Sequence, residues 1–199
     1  MLCDGTVRIG TLFSYRRTEL GPAIGDGGEG ASETTHRVDG PLYAKRPENR
    51  SWEFDSLIRI PEDAPDDITF TNLSIVVPEQ SEDVYLYCAS YYYSRQAMDE
   101  FEADTCIEVT NPLGFIRMMY RSLRWRRLIA PAATVSPCDY SGRERTHVMP
   151  RVHPAFLKPP EYAYQREIRA AFAPLQAGPI EPFVLSIPEL KPMIRLRTR

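Results

Sequence analysis

The sequence predicts a single α+β domain over residues 1–199, built from a mixed β core and one main helix. A chain of 199 residues can bury a substantial core and is still short enough for one domain. Its 18 prolines and 11 tyrosines favour short strands and irregular connections over a helical bundle. Strand-like runs recur along the chain, whereas only the stretch after Asn111 has the start signals of a long helix.

Composition narrows the classes of function. The formal net charge of −3 argues against a general nucleic-acid coat and leaves room for a local basic patch. No apolar stretch reaches the length of a membrane span, and Met1–Asp4 lacks a signal region, so we expect a cytoplasmic protein without membrane contact. Cys138, His147 and His153 match no common zinc spacing, and the scattered cysteines are typical of reduced thiols, so no metal is expected.

The first strand is predicted at Val7–Phe13, with Arg8 on the face opposite Val7 and Ile9. An arginine there, followed by Gly-Thr, could hold a phosphate through its planar fork, or could be a half-exposed strand residue. Ser14–Glu19 then predicts a turn or short helix. The loop Ile24–Gly30 has four glycines and two acids but fits no calcium or phosphate motif, which favours a solvated loop.

The middle of the chain alternates between irregular and strand-like stretches. Glu33–Asn49 is polar and predicts irregular structure, while Trp52–Ile60 and Ile68–Val77 predict strands. Val84–Ser94 is the most strongly β-forming run and predicts a central strand, with Ser90 near its end. The tyrosines at 91–93 could stack on a flat ligand or pack as a strand end. A short helix at Gln96–Glu102 and a strand at Asp104–Val109 follow.

The main helix is predicted from Asn111-Pro112, a cap followed by a first-turn proline, to about Leu128. Its apolar stripe is expected to contain Ile116, Met119, Tyr120 and Leu123. A second face carries Arg117, Arg121 and Arg124. These arginines either complement the helix dipole or form a surface for a phosphate backbone.

The C-terminal part supplies the candidate catalytic edge. Tyr162–Arg169 predicts a loop that leads into a strand. Because side chains alternate between the two faces of a strand, we expect Gln165, Glu167 and Arg169 to point into one cleft. A carboxylate flanked by an amide and a guanidinium suits catalysis, although an ordinary surface strand would show the same pattern. The remaining strands are predicted at the positions Thr134–Tyr140, Pro182–Ile187 and Met193–Thr198.

The order of these pieces resembles the Arg–Ser–Glu branch of the ADP-ribosyltransferases. More specifically, it is similar to an uncharacterised bacterial family with that fold, some members of which act as phage-defence toxins. The motifs that carry the resemblance are the opening Gly-Thr-Leu-x-x-Tyr-Arg, Gly-Asp-x-x-Glu-Gly, the strand at Asp104–Val109, and Phe156–Pro159 ahead of Tyr-x-x-Glu-x-Arg. The resemblance implies a split, strongly twisted ADP-ribosyltransferase-like core that spans most of the chain.

The resemblance also implies a role for each site residue. Glu167 would be the catalytic carboxylate, and Gln165, two residues before it, would meet the acceptor. Arg8 would hold the pyrophosphate of NAD, and Ser90 would support Glu167. The further residues implied to bind NAD are Gly10, Thr11 and Tyr15.

The implied function is mono-ADP-ribosyl transfer from NAD, as co-substrate, to a macromolecule, in a bacterial defence toxin. The arginine face of the helix would then bring in an RNA or DNA acceptor, favoured over protein, and an antitoxin protein is a further implied partner. A catalytically inactive module of the same fold, binding a nucleotide or a partner protein in the same cleft, is the second hypothesis.

Overall fold

The computed structural model describes residues 2–17, 21, 25–43, 52–65 and 68–198, and the fold within them is α+β. Strands dominate, and helices are few and short. The strands of this described part are β1 (Thr6–Thr11), β2 (Ala31–Tyr43), β3 (Thr69–Gln80), β4 (Tyr85–Ser90), β5 (Thr105–Val109), β6 (Ile129–Pro137), β7 (Glu144–Thr146), β8 (Glu167–Pro174), β9 (Phe183–Ser186) and β10 (Ile194–Thr198). Its α-helices are α1 (Trp52–Leu57), α2 (Arg95–Glu100) and α3 (Pro112–Trp125).

These elements divide into two compact units. The first unit comprises Met1–Ala31, Gln80–Arg143 and Val152–Arg199, and the second comprises Ser32–Glu79 and Glu144–Arg151. Within the described residues the first unit holds a five-stranded and a two-stranded sheet, and the second unit holds a three-stranded sheet. The prediction of one domain over the whole chain stays a prediction. No helix in the described ranges has the length and apolar character needed to cross a membrane.

The first unit is built on a five-stranded sheet with the order β6-β8-β4-β1-β9, and its neighbouring strands are antiparallel. The β-forming run that predicted a central strand becomes β4, in the middle of this order. The register sets Ser90 of β4 opposite Glu167 of β8 and Gly10 of β1 opposite Leu86 of β4. The predicted site residues on strands therefore lie on three adjacent strands.

The larger of two buried apolar clusters in the described part of the first unit lies between this sheet and α3, and the smaller one contains Leu12, Leu86, Ala155 and Phe156. The helix buries Phe115, Met119 and Leu123 in one cluster with Phe172 of β8. Fully burying a side chain of this size stabilises the fold by about 1.5–3 kcal/mol. The stripe predicted from the sequence omits Phe115 and includes its neighbour Ile116, which is only partly buried. The centre of the apolar face is set by how the helix packs on the sheet, and periodicity alone leaves it uncertain by one residue.

The start of α3 confirms the predicted cap. The Asn111 side chain accepts a hydrogen bond from the main-chain N–H of Gly114 at 3.0 Å, and Pro112 occupies the first turn. The helix ends at Trp125, before the end expected near Leu128.

Several other predicted elements of the first unit are confirmed. The stretch after β1 forms a 3₁₀ turn at Phe13–Arg16, while residues 18–19 of the predicted turn lie outside the described residues. The strand predicted at Thr134–Tyr140 becomes β6, at the edge of the sheet, and ends at Pro137. The short helix becomes α2, the strand at Asp104–Val109 becomes β5 and pairs with β10, and the strand at Pro182–Ile187 becomes β9.

The second unit corrects two predictions. Its three-stranded sheet has the order β3-β2-β7, and β3 confirms the strand predicted at Ile68–Val77. The prediction of irregular structure over Glu33–Asn49 is wrong up to Tyr43, where β2 ends, and residues 44–49 lie outside the described part. This strand begins with polar residues at successive positions, so it lacks the alternation of apolar and polar residues that reveals a strand in sequence.

The prediction of a strand at Trp52–Ile60 is also wrong, because α1 occupies its first part. The prediction rested on aromatic and β-branched residues in the stretch, and such propensity is easily overridden by packing. A helix of six residues is also too short to show a helical period in the sequence.

Candidate functional site

A cleft of about 270 Å³ in the first unit brings together five of the residues predicted from the sequence. Arg8 comes from β1, Ser90 from the end of β4, and Glu167 from the start of β8, while Tyr15 and Gln165 come from the 3₁₀ turns that flank β1 and β8. They converge because β1, β4 and β8 are neighbours in the sheet.

Glu167 is buried at the base of this cleft, with 7% of its surface exposed, and both of its carboxylate oxygens are paired. Lys158 Nζ lies 2.7 Å from Oε2, and Arg169 Nε lies 2.7 Å from Oε1. The main-chain N–H of Glu167 donates to the Tyr140 hydroxyl at 2.7 Å. The two cations thus fix the position of the carboxylate, and the Tyr140 hydroxyl fixes the backbone at the start of β8.

Lys158 also holds Gln165. Its Nζ donates to Gln165 Oε1 at 2.5 Å and lies 4.9 Å from the centre of the Tyr162 ring. Ser90 Oγ donates to the main-chain carbonyl of Gln165 at 2.7 Å. This hydrogen bond does not go to the carboxylate of Glu167. Ser90 therefore supports Glu167 indirectly, by holding the backbone of the turn that precedes it.

Arg169 links Glu167 to the glycine-rich loop. Its Nη1 donates to Glu29 Oε1 at 2.5 Å and to the carbonyl of Ala155 at 2.5 Å. Arg169 and Glu29 are each 1% exposed. Charges this deep are stable only when each is paired, so the loop, the strand and the Ala155 segment hold one another in place.

The buried position of Glu29 corrects the prediction of a solvated loop at Ile24–Gly30, of which Ile24 lies outside the described residues. Asp26 of the same loop is also buried and forms an ion pair with Arg143. Four glycines in seven residues resemble a flexible loop in sequence, and the partners of its two acids lie more than a hundred residues away in the chain. No local signal reveals such pairing.

The electrostatics of the cleft keep Glu167 ionised. Burial by itself would raise the pKa of Glu167, but Arg169 and Lys158 outweigh burial and lower the pKa to about 2. Burial raises the pKa of Glu29, and Arg169 offsets this only in part. The two carboxylates hold the pKa of Arg169 well above its usual value despite burial.

Tyr15 and Cys88 form the apolar side of the cleft. Burial raises the pKa of Cys88 far above its usual value, and Glu167 adds to this, so the thiol stays neutral and is a poor nucleophile. Burial and the neighbouring Cys88 likewise raise the pKa of the Tyr15 phenol. A Cβ at Gly10 would lie 2.6 Å from the Tyr15 hydroxyl, so glycine is required there for the ring to pack against β1.

The other predicted site residues lie elsewhere. Gly10 and Thr11 do not line the cleft, and Thr11 is buried in mutual hydrogen bonds with Ser14. Arg117 and Arg121 are exposed on α3 and do not line the cleft either. Arg124 is only half-exposed, and its Nη1 donates to the carbonyl of Ile129 at 2.8 Å.

Five further residues line the cleft and were not predicted from the sequence, namely Lys158, Glu29, Cys88, Ala89 and Phe101. Lys158 precedes two prolines, a pattern typical of a chain break, and lies in the Phe156–Pro159 motif of the resemblance. That motif is the signal that could have indicated it. In the described part of the chain, no group of three or more His, Cys, Asp or Glu residues could hold a metal ion.

No family model, no curated protein and no solved structure matches this chain. The function therefore rests on the chemistry of the cleft and on the motifs that resemble those of the ADP-ribosyltransferases.

Proposed function

We propose that the protein transfers a single ADP-ribose from NAD to a macromolecule, with nucleic acid favoured over protein as the acceptor. The observation that carries this proposal is the convergence of Arg8, Ser90 and Glu167 on one cleft. These residues come from widely separated parts of the chain, and they are the residue types that the Arg–Ser–Glu resemblance requires. The biological role that fits this activity is that of a bacterial defence toxin acting in the cytoplasm, with an antitoxin as partner.

The charges of the cleft suit NAD. Arg8, Lys158 and Arg169 oppose Glu29 and Glu167, which leaves an excess of one positive charge for a ligand that carries a pyrophosphate. Among the described residues, no carboxylate forms an ion pair with Arg8, so its guanidinium can bind two phosphate oxygens. At about 270 Å³ the cleft is slightly below the usual size of ligand pockets, and it suits the nicotinamide riboside end of NAD.

Glu167 supplies the electrostatic part of the reaction. As the bond between ribose C1′ and nicotinamide breaks, its electron pair leaves with nicotinamide, and positive charge develops on C1′ and the ring oxygen. An ionised, buried carboxylate stabilises that charge without reorganising, and it accepts a hydrogen bond from a ribose hydroxyl. A nucleophile of the acceptor then bonds to C1′ and releases its proton to water.

Lys158 must move for this chemistry to proceed. Its ammonium contacts both Glu167 Oε2 and Gln165 Oε1, the two atoms proposed to meet ribose and acceptor. Binding of NAD would replace the lysine at Oε2 by a ribose hydroxyl, which also frees the Gln165 amide for the acceptor. Because the flexible Lys158 chain carries its charge at the tip, this exchange needs no change in the sheet.

The second candidate function is a binding module without catalysis, and one observation favours it. Both oxygens of Glu167 are already paired with cations, which is typical of a carboxylate that stabilises structure. In that case Arg8 and the excess positive charge would bind a nucleotide that is never cleaved.

Incubation of the purified protein with NAD separates the two functions. Release of nicotinamide, together with ADP-ribose on RNA, DNA or protein added to the reaction, supports the transferase. NAD binding measured by calorimetry, without release of nicotinamide under any condition, supports the binding module instead.

A further inference from the structure

Three consecutive tyrosines form an exposed aromatic surface directly after β4. Tyr91, Tyr92 and Tyr93 are 49%, 62% and 61% exposed. Tyr91 and Tyr92 meet edge to face, with ring centres 5.1 Å apart. Their rings therefore lie at the surface, and the alternative of a packed strand end does not describe them.

The tyrosine surface is joined to the candidate catalytic edge. Ser90, which lines the cleft, immediately precedes Tyr91. The main-chain N–H of Tyr91 donates at 3.0 Å to the carbonyl of Arg166, the residue between Gln165 and Glu167. A molecule held on these rings is thus close to the start of β8.

Arg166 adds a cation to this surface. Its guanidinium lies 5.7 Å from the centre of the Tyr92 ring. Its backbone adopts a left-handed conformation, with φ of 46°, which is uncommon for a residue with a side chain. This turn allows the side chain of Arg166 to be exposed while its neighbours Gln165 and Glu167 are buried.

We propose that the tyrosine surface, defined by Tyr91, Tyr92, Tyr93 and Arg166, binds unpaired bases of a single-stranded nucleic acid. Flat aromatic rings stack on bases of any sequence, and a guanidinium can stack on a base or contact one phosphate. The identification of the acceptor as an unpaired segment rests on the proposed function, whereas the binding itself does not depend on NAD chemistry.

The chemistry of this surface favours bases over a phosphate backbone. It combines three aromatic rings with Arg166, and the adjoining helix α2 exposes Arg95 together with the acids Asp99 and Glu100. A backbone-binding groove needs several cations, whereas base stacking needs exposed ring faces. The binding that this surface contributes should therefore depend only weakly on salt, adding about one unit to the slope of log affinity against log salt. A duplex should bind poorly because its bases are already stacked.

The test uses fluorescently labelled RNA and DNA strands of about twelve unpaired nucleotides, with the matching duplex as a comparison. Tyr92→Phe keeps the ring and should bind like the wild type. Tyr92→Leu keeps an apolar side chain but removes the ring, and should weaken binding about tenfold. Changing all three tyrosines to leucine should weaken it at least about a hundredfold.

The matched control is Leu196→Ala, which removes an exposed apolar side chain on β10 and should leave binding unchanged. Equal binding by wild type and the triple leucine variant would overturn the inference. Tighter binding of the duplex than of the single strands would also overturn it. So would a wild-type protein that binds none of the single strands but transfers ADP-ribose to a protein. Nicotinamide release by the wild type without an acceptor tests the proposed function separately, so failure of either can be recognised alone.

Discussion

Arg169 Nη1 lies 2.5 Å from Glu29 Oε1, although 140 residues separate the two in the chain. The same guanidinium holds Glu167 through its Nε at 2.7 Å. Arg169 thus connects the glycine-rich loop to the candidate catalytic carboxylate, so a shift of the loop would also shift the carboxylate. Because all three side chains are buried, a change at Glu29 should be felt at Glu167.

We expect Glu29→Gln to leave the free energy of unfolding close to the wild-type value, because burial already disfavours the charge of Glu29 and raises its pKa. It should nevertheless slow nicotinamide release about tenfold, since Glu167 is less firmly oriented. Urea unfolding and a nicotinamide assay measure the two effects.

The matched control for Glu29→Gln is Asp26→Asn. Asp26 is buried in the same loop but pairs with Arg143 and does not line the cleft. Nicotinamide release per folded molecule should stay at the wild-type rate in this variant. An equal loss of turnover in both variants would show that the contact of Glu29 with Arg169 has no specific effect on Glu167.

The low pKa of Glu167 predicts how stability depends on pH. Its folded pKa is about 2 against a usual value of 4.5, so its contribution is complete above pH 4.5 and is lost as the pH falls toward 2. That shift corresponds to about 3 kcal/mol. The folded pKa of Glu29 is raised. Its ionisation therefore lowers the free energy of unfolding as the pH rises above 4.5, which is opposite to the effect of Glu167.

Comparison with Glu167→Gln isolates this contribution. At pH 5 the variant should be less stable than the wild type, and the difference should shrink as the pH approaches 2, where wild-type Glu167 becomes neutral. Lys158→Met removes one of the two cations, so the pKa of Glu167 rises and the acid-dependent loss becomes smaller. A stability difference that stays constant from pH 5 to pH 2 would contradict the assignment of the low pKa.

The sequence predicted the parts of this site that local patterns encode. Alternation after Glu167 indicated β8, the β-forming run before Ser90 indicated a central strand, and Asn111-Pro112 indicated α3. Of the two cations that pair with Glu167, the local sequence pattern indicated only one. Arg169 lies two residues away on the same strand, whereas Lys158 lies beyond a 3₁₀ segment.

What the sequence could not predict depends on interactions between distant segments. Glu29 looked like part of a solvated loop because its partner Arg169 follows much later in the chain. Arg124 looked equivalent to Arg117 and Arg121 on the helix, but the turn that follows α3 brings the Ile129 carbonyl to its guanidinium. Helical periodicity gives no information about that turn.

Gln165→Ala should separate acceptor transfer from cleavage of NAD. The amide is proposed to meet the acceptor, whereas the bond to nicotinamide breaks at Glu167. We expect the ratio of ADP-ribose transferred to nicotinamide released to fall about tenfold. Radiolabelled NAD with RNA and DNA acceptors gives both quantities in one reaction. A proportional fall in the two would place Gln165 in the cleavage step.

The exposed arginines of α3 should contribute a salt-sensitive affinity for nucleic acid. Arg117→Glu and Arg121→Glu together should lower the slope of log affinity against log salt by about two units, because each arginine neutralises one phosphate. Arg195→Glu, which changes an exposed arginine on β10, is the control. An unchanged slope in the double variant would remove α3 from the acceptor surface and leave the NAD chemistry intact.

The sharpest test of Glu167 as the catalytic carboxylate is nicotinamide release by Glu167→Gln alongside NAD binding by calorimetry. The substitution keeps the shape of the side chain but removes the charge that stabilises the developing oxocarbenium ion. It should raise the barrier by about 3 kcal/mol, roughly a hundredfold in rate, while NAD affinity changes little. Circular dichroism must first show that the variant folds, because Lys158 and Arg169 lose a charged partner. A folded Glu167→Gln protein that releases nicotinamide at the wild-type rate would contradict the assignment of Glu167 as the catalytic carboxylate.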